Sequence, residues 1–352
     1  MQGEQEDLDL ARSAHRITAD LTHPRRAIYW ADLTLTAGVA YGGLAAAVQG
    51  DGVVRAAAAV ACVLALYRAV SFIHELTHLR PRDVPGFGLA WNLLIGIPFL
   101  IPSLLYEGVH NLHHAKQRYG TGQDPEYLPL ARGPAIRVAA FVGVALFAPL
   151  GSFLRFAVGA PLSVVIPALR PVVFSRFSAI TINPGFRRED VERSAGAAWR
   201  AQEVACWLWS WTLVALVASG GPRAAYVLAG AGLMAIVTCL NQLRTLVAHA
   251  WTNDGGRMTF AEQFADSINV PPPGGLPLLW APVGLRYHAL HHLLPRIPYH
   301  HLAEAHRRLS QALPAGSLYH RAQHRGLGPA LRELLGRLAA HRQGGRRPRP
   351  VT

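Results

Sequence analysis

Residues 53–78 read VVRAAAAVACVLALYRAVSFIHELTH. A helix rising about 1.5 Å per residue needs about 20 mostly apolar residues to cross ~30 Å of hydrocarbon. The stretch from Val53 to Ile73 is such a run, carrying only Arg55 and Arg68. It ends in His74-Glu75-Leu76-Thr77-His78. Residues i and i+4 of a helix share a face, so the two imidazoles point the same way. A spanning helix thus delivers a pair of metal-binding groups to the edge of the bilayer.

The rest of the chain repeats this pattern of apolar runs with polar ends. Ile28 to Val48 is apolar apart from Asp32; Val204 to Gly220 and Ala224 to Leu243 are clean runs separated by Gly220-Gly221-Pro222-Arg223. Two helical hairpins are therefore expected, over 28–73 and 204–247. Between them the apolar runs 84–106 and 138–169 are broken by Pro98, Pro102, Pro149, Pro161 and Pro167. Proline removes a helix hydrogen bond, so these stretches are expected to be re-entrant or interfacial. The composition agrees with a membrane protein: 51% of 352 residues are hydrophobic and 16% charged, against about 25% in soluble domains. The three cysteines, Cys62, Cys206 and Cys239, lie inside apolar runs, which excludes a disulfide-built module. The net charge of +13 comes from arginines flanking the runs and crowding the end (Arg337, Arg342, Arg346, Arg347, Arg349). That distribution fits cytoplasmic loops and a headgroup-facing tail, not a nucleic-acid groove. Residues 1–27 are polar, with no cleavable signal peptide visible, and are expected in the cytoplasm. The expected organisation is a polar segment 1–27, a membrane domain 28–310, and a basic helix with a disordered tail over 311–352.

The 17 histidines are the unusual count. His110-Asn111-Leu112-His113-His114 and His288-Ala289-Leu290-His291-His292 place imidazoles at i, i+3 and i+4, and His249 closes the last apolar run. Nine imidazoles exceed the three or four ligands of a zinc site. Two metals with four or five nitrogens each would use them, and imidazole suits iron, copper, nickel and zinc alike. The four groups share one side only if the chain between them crosses the membrane an even number of times. So 84–106 should not cross once, and 138–180 should cross twice or not at all.

The order H-x-x-x-H, H-x-x-H-H, H-x-x-H-H, with an extra histidine before the last box, resembles the membrane fatty acid desaturase superfamily. So do Asp124-Pro125-Glu126 and the stretch from Tyr287 to His300. The resemblance implies an all-α integral membrane protein whose spanning hairpins carry a cytosolic helical cap with the boxes. It implies a non-haem diiron centre on His74, His78, His110, His113, His114, His249, His288, His291 and His292. It further implies O2 as co-substrate, an acyl lipid as substrate, and removal of two hydrogens to form a double bond. No haem-binding domain of cytochrome b5 type is visible, so a separate electron donor, a ferredoxin or cytochrome b5, is expected. Some acyl-CoA desaturases place an asparagine four residues before the extra histidine; here that position is Thr245, and Asn241 lies eight before.

Two rival activities share these residues. A lipid, sterol or carotenoid hydroxylase or ketolase could use the same centre. His74-Glu75-x-x-His78 is also the zinc-metalloprotease pattern, with the glutamate as general base, but that reading leaves seven histidines without a role. Glu107, Asn241, Thr245 and His306 are candidates to support the ligands from behind; Asn241 and Arg244 either line a polar pocket or pair with each other. Trp207, Trp209, Trp211 and Trp251 are expected at the interface or in packing, and Tyr29 and Trp30 as interfacial anchors.

Overall fold

The computed structural model describes residues 2–190, 196–273 and 275–344. Among these the chain is helical, with only isolated β-bridges and no strand. Five helices are long and apolar enough to cross a membrane: α2 (Arg26–Gln49), α3 (Gly52–His78), α6 (Ala135–Val165), α8 (Ala197–Ala218) and α9 (Gly221–Thr245), numbered after the N-terminal α1 (Gln2–Ile17). The chain is an integral membrane protein.

The two expected hairpins form. Gly52, at φ +51°, turns α2 into α3. Along the hairpin Gly43 lies so close to Cys62 that an added Cβ would sit 3.0 Å from it, the small-residue contact that lets apolar helices pack without a solvent drive. The polar residues inside the hairpin pair with each other. Arg68 Nε donates to Asp32 Oδ1 at 2.7 Å and its Nη2 to Oδ2 at 2.5 Å, and the Tyr299 hydroxyl donates to the same carboxylate at 2.8 Å. A fork of this kind is how a charge is accommodated away from water. In the second hairpin Gly220 and Gly221, at φ +67° and +63°, make the turn, and Pro222 sits in the first turn of α9, where it costs no hydrogen bond. α9 packs on both α2 and α3. Outward positions such as Leu208, Trp211 and Leu228 are exposed, as residues facing lipid would be.

The middle of the chain returns repeatedly to the histidine-bearing end. The short α4 (Phe87–Gly96) is folded back by Asn92, whose amide donates to Ser103 Oγ at 2.8 Å and accepts from the Ser103 N–H at 2.9 Å. α6 is long enough to span, yet both of its ends are tied to the histidine side. Before it, Ala131 N–H bonds Trp251 O; after it, Ile182 and Asn183 N–H bond Pro125 O. Its midpoint is tied there too. Arg155 donates to Ser178 Oγ at 2.9 Å and to Glu203 Oε1 at 2.5 Å, near the start of α8. Arg170, at the head of α7 (Arg170–Phe177), takes the other Glu203 oxygen at 2.7 Å. Farther along, Ala145 O accepts from the Thr238 hydroxyl at 2.6 Å and Ala157 O from the Trp211 indole N–H at 3.2 Å, so α6 also packs on the second hairpin.

The remaining elements form a cap: α5 (His110–His113), α10 (Phe260–Asp266), α11 (Pro277–Trp280), α12 (His288–Leu293), α13 (Leu302–Ala312), α14 (Leu318–Arg321) and α15 (Leu327–Gly344). Residues 1–27 do not stand apart. Leu10, Ala14 and Leu21 share a core with Leu290, Leu302, Leu309 and Tyr319. The C-terminal helix lays Leu334 and Leu338 against Leu130 and Trp251. Arg346, Arg347, Arg349 and the expected disordered tail fall outside the described residues.

Candidate metal centre

Helix register decides how the histidines divide. In the second and third boxes the i, i+4 pair goes to one group and the odd residue to the other, while the first box gives both of its histidines to one group. His74, His78, His110, His114 and His291 form one group; His113, His249, His288 and His292 form the second. Within each group one ligand atom per residue lies within 4.8 Å of all the others. Five plus four accounts for all nine, as the expectation of four or five nitrogens per metal requires. The groups touch: the His114 and His292 rings stack at 4.3 Å.

The imidazole nitrogens face one another across each group. His110 Nε2 faces His114 Nε2 at 2.9 Å, His114 faces His291 at 3.1 Å, His288 faces His249 at 2.9 Å and His292 faces His288 at 3.1 Å. Neighbouring ligands of one metal, bonded at about 2.1 Å, lie about 3.0–3.4 Å apart, so these nitrogens are close enough to share an ion. Both nitrogens of His74, Nε2 of His78 and His113, and Nδ1 of His288 are buried without a partner. Burial, and then the charge of neighbouring imidazoles, hold His110, His114, His288, His291 and His292 well below the ordinary range. They stay neutral, as a metal ligand must. This donor set fits two metal ions.

Carboxylates fix the rings from behind. His110 Nδ1 meets Glu126 Oε1 at 2.8 Å, and His113 Nδ1 meets both oxygens of Asp124 at 2.9 Å. His249 Nδ1 meets the Tyr119 hydroxyl at 2.8 Å and Asp266 at 3.5 Å. Holding Nδ1 leaves Nε2 to face inward. Burial pushes the Glu126 carboxyl up to about 7. Burial alone would lower His113; Asp124 beside it overrides that and raises it. Asp124 is itself aimed by Gly120, whose N–H donates to Oδ2 at 2.8 Å from a backbone at φ +72°. Asn269, fully buried, accepts the Leu290 N–H at 3.0 Å and so caps the third-box helix.

The supporting residues named from the sequence are largely elsewhere. Glu107 has an exposed side chain, and Glu126 occupies the position foreseen for it. The Thr245 hydroxyl turns back to the Asn241 carbonyl of its own helix at 2.8 Å, and Asn241 Oδ1 accepts from Arg244 at 3.1 Å. His306 bonds the Tyr319 hydroxyl at 2.8 Å and packs on Tyr287, behind the third box. Tyr29 is no interfacial anchor: it is buried and donates to Glu75 at 2.5 Å. Trp251 is buried against the His249 ring at 5.0 Å, with its backbone at φ +60°, a strain typical of functional walls. Asp266 and Tyr119 were not foreseen. Asp266 lies 17 positions beyond His249 with no helical register to it, and a loop fold brings it back through the Ala250 N–H to Asp266 O bond.

With the geometry in place, the chain's class follows. The family model described as fatty acid desaturase matches residues 53–324, and the chain belongs to that family of membrane diiron oxidoreductases. It is also similar to the "Ceramide hydroxylase" of Caulobacter vibrioides (strain NA1000 / CB15N), 54% identical over 333 residues, covering 94% of this chain and 95% of that protein. No solved structure matches.

Proposed function

We propose that this protein is a diiron lipid hydroxylase acting on an amide-linked acyl chain of ceramide type. The expected desaturation gives way to the hydroxylase alternative because the likeness to a ceramide hydroxylase runs over 94% of the chain; this observation carries the reading. The nine histidines, five on one iron and four on the other, would hold the pair. The irons supply the O2 chemistry that an unactivated C–H bond demands, since such a bond offers acid–base catalysis nothing to work on. The balance is one C–H bond and one O2 to one C–OH and one water, with two electrons from a separate donor and two protons. The chain's own part is to aim the rings through Asp124, Glu126 and Asp266, and to enclose the site with Trp251, Tyr119 and Tyr127. The protease reading finds no support in Glu75, whose Oε2 is taken by the Tyr29 hydroxyl and faces the Tyr299 N–H at 3.4 Å.

The test is expression in a host lacking the activity, supplied with ceramide under ¹⁸O2. A ceramide heavier by one ¹⁸O atom is expected, with about two irons per purified chain. An unsaturated, oxygen-free product would establish desaturation instead.

A further inference from the structure

We infer that Arg244 determines which lipid the site accepts, by holding the carbonyl oxygen of the substrate's amide beside the rings; this rests on the reading of the protein as a ceramide hydroxylase. Arg244 lies in the last turn of α9, where the spanning helix meets the histidines. Its Nη2 is steadied by Asn241 Oδ1 at 3.1 Å, and α9 packs on α3, which carries Tyr67. The Arg244 charge acts on His74 and His288, one from each metal group, and on Glu126. Yet Nε is buried without a partner. A buried charged donor with an unmade bond carries a desolvation penalty that an arriving acceptor removes.

The surroundings select that acceptor. The Tyr67 hydroxyl donates to Trp280 O at 3.0 Å. Trp280 ends α11, a short turn that packs on α9 and exposes Leu276, Leu278 and Leu279. The polar cluster therefore lies beside an apolar, lipid-facing turn, and a lipid carrying one compact acceptor fits it. A neutral amide oxygen satisfies Nε without adding a second buried anion beside Glu126. A carbonyl held there puts the carbons near the amide, rather than the far end of the acyl chain, next to the rings.

The experiment compares wild type, Arg244→Leu and Arg244→Lys, the last keeping the charge but not the Nε donor. Binding of a short-chain fluorescent ceramide is measured on metal-free protein in nanodiscs, with a saturated free fatty acid as competitor. Iron content and the position of hydroxylation are measured on the loaded protein. A hydrogen bond to a charged donor predicts at least about tenfold weaker ceramide binding in Arg244→Leu. Lysine should recover only part of this, and hydroxylation should spread to neighbouring carbons at unchanged iron content. Unaltered ceramide binding in Arg244→Leu overturns the inference. So does a fatty acid that outcompetes ceramide in wild type and loses that advantage in Arg244→Leu, since the cluster would then read a carboxylate. Should Arg244→Leu fail to fold, the lysine variant decides alone: binding and position as in wild type overturn the inference. If wild type makes no hydroxyceramide, the activity proposal fails, while the binding comparison still decides the role of Arg244.

Discussion

Asp124 reaches His113 with both oxygens at 2.9 Å and takes the Gly120 N–H with one of them. Asparagine there keeps the shape but not the charge, so Asp124→Asn should weaken metal retention about 10–100-fold. Iron quantitation after dialysis against graded chelator reads this. Glu75 sits between two histidines yet bonds away from them, to Tyr29. Glu75→Gln should therefore keep both irons and a measurable turnover, whereas a protease would lose its general base and all activity. Product analysis and iron content on one preparation separate the two.

At the scale of elements, short turns and buried pairs set the level of each helix. An added Cβ on Gly120, at φ +72°, would lie 2.8 Å from Met258 Sδ and 2.9 Å from Asn253 Nδ2. Gly120→Ala should cost about 1–3 kcal/mol of strain and displace Asp124, seen as lower thermal stability and reduced iron content together. Glu203 neutralises Arg155 and Arg170 at 2.5 and 2.7 Å. Glu203→Gln leaves the buried Arg155 cation uncompensated and should cost about 3–5 kcal/mol, read by unfolding in detergent. The spanning hairpins and the imidazole boxes were legible in the sequence because both follow helical periods. Asp266 was not, since a loop rather than a period brings it to His249. Glu107 misled because three residues before His110 looks like helical register, whereas the chain there is a turn and α5 begins only at His110. α6 shows the same limit: its 31 residues are mostly apolar and carry no sign that Arg155 is tied to Glu203.

For the whole molecule, all the histidine boxes meet in one place. Arginines flank the apolar runs, and the positive-inside rule predicts that the side carrying the boxes faces the cytoplasm. Accessibility reporters near Lys116 and near Asp254 should therefore read the same face, and the cytoplasmic one; opposite readings would break the topology. The boxes also come from both hairpins and the cap, so metal ties together elements distant in sequence. Removing it should lower the unfolding temperature, and returning ferrous iron should restore it, as followed by tryptophan fluorescence during heating.

His113 and His114 are adjacent in the chain yet serve different groups, and His291 and His292 repeat the arrangement. Each of these turns presents donors to both groups, so metal binding at one is expected to order the other. Loading should be concerted: titration with ferrous ion should give a sigmoidal uptake curve, with the half-filled species scarce at every ratio. A cell starved of iron would then hold a mixture of complete and empty molecules, and its output would scale with the number fully charged.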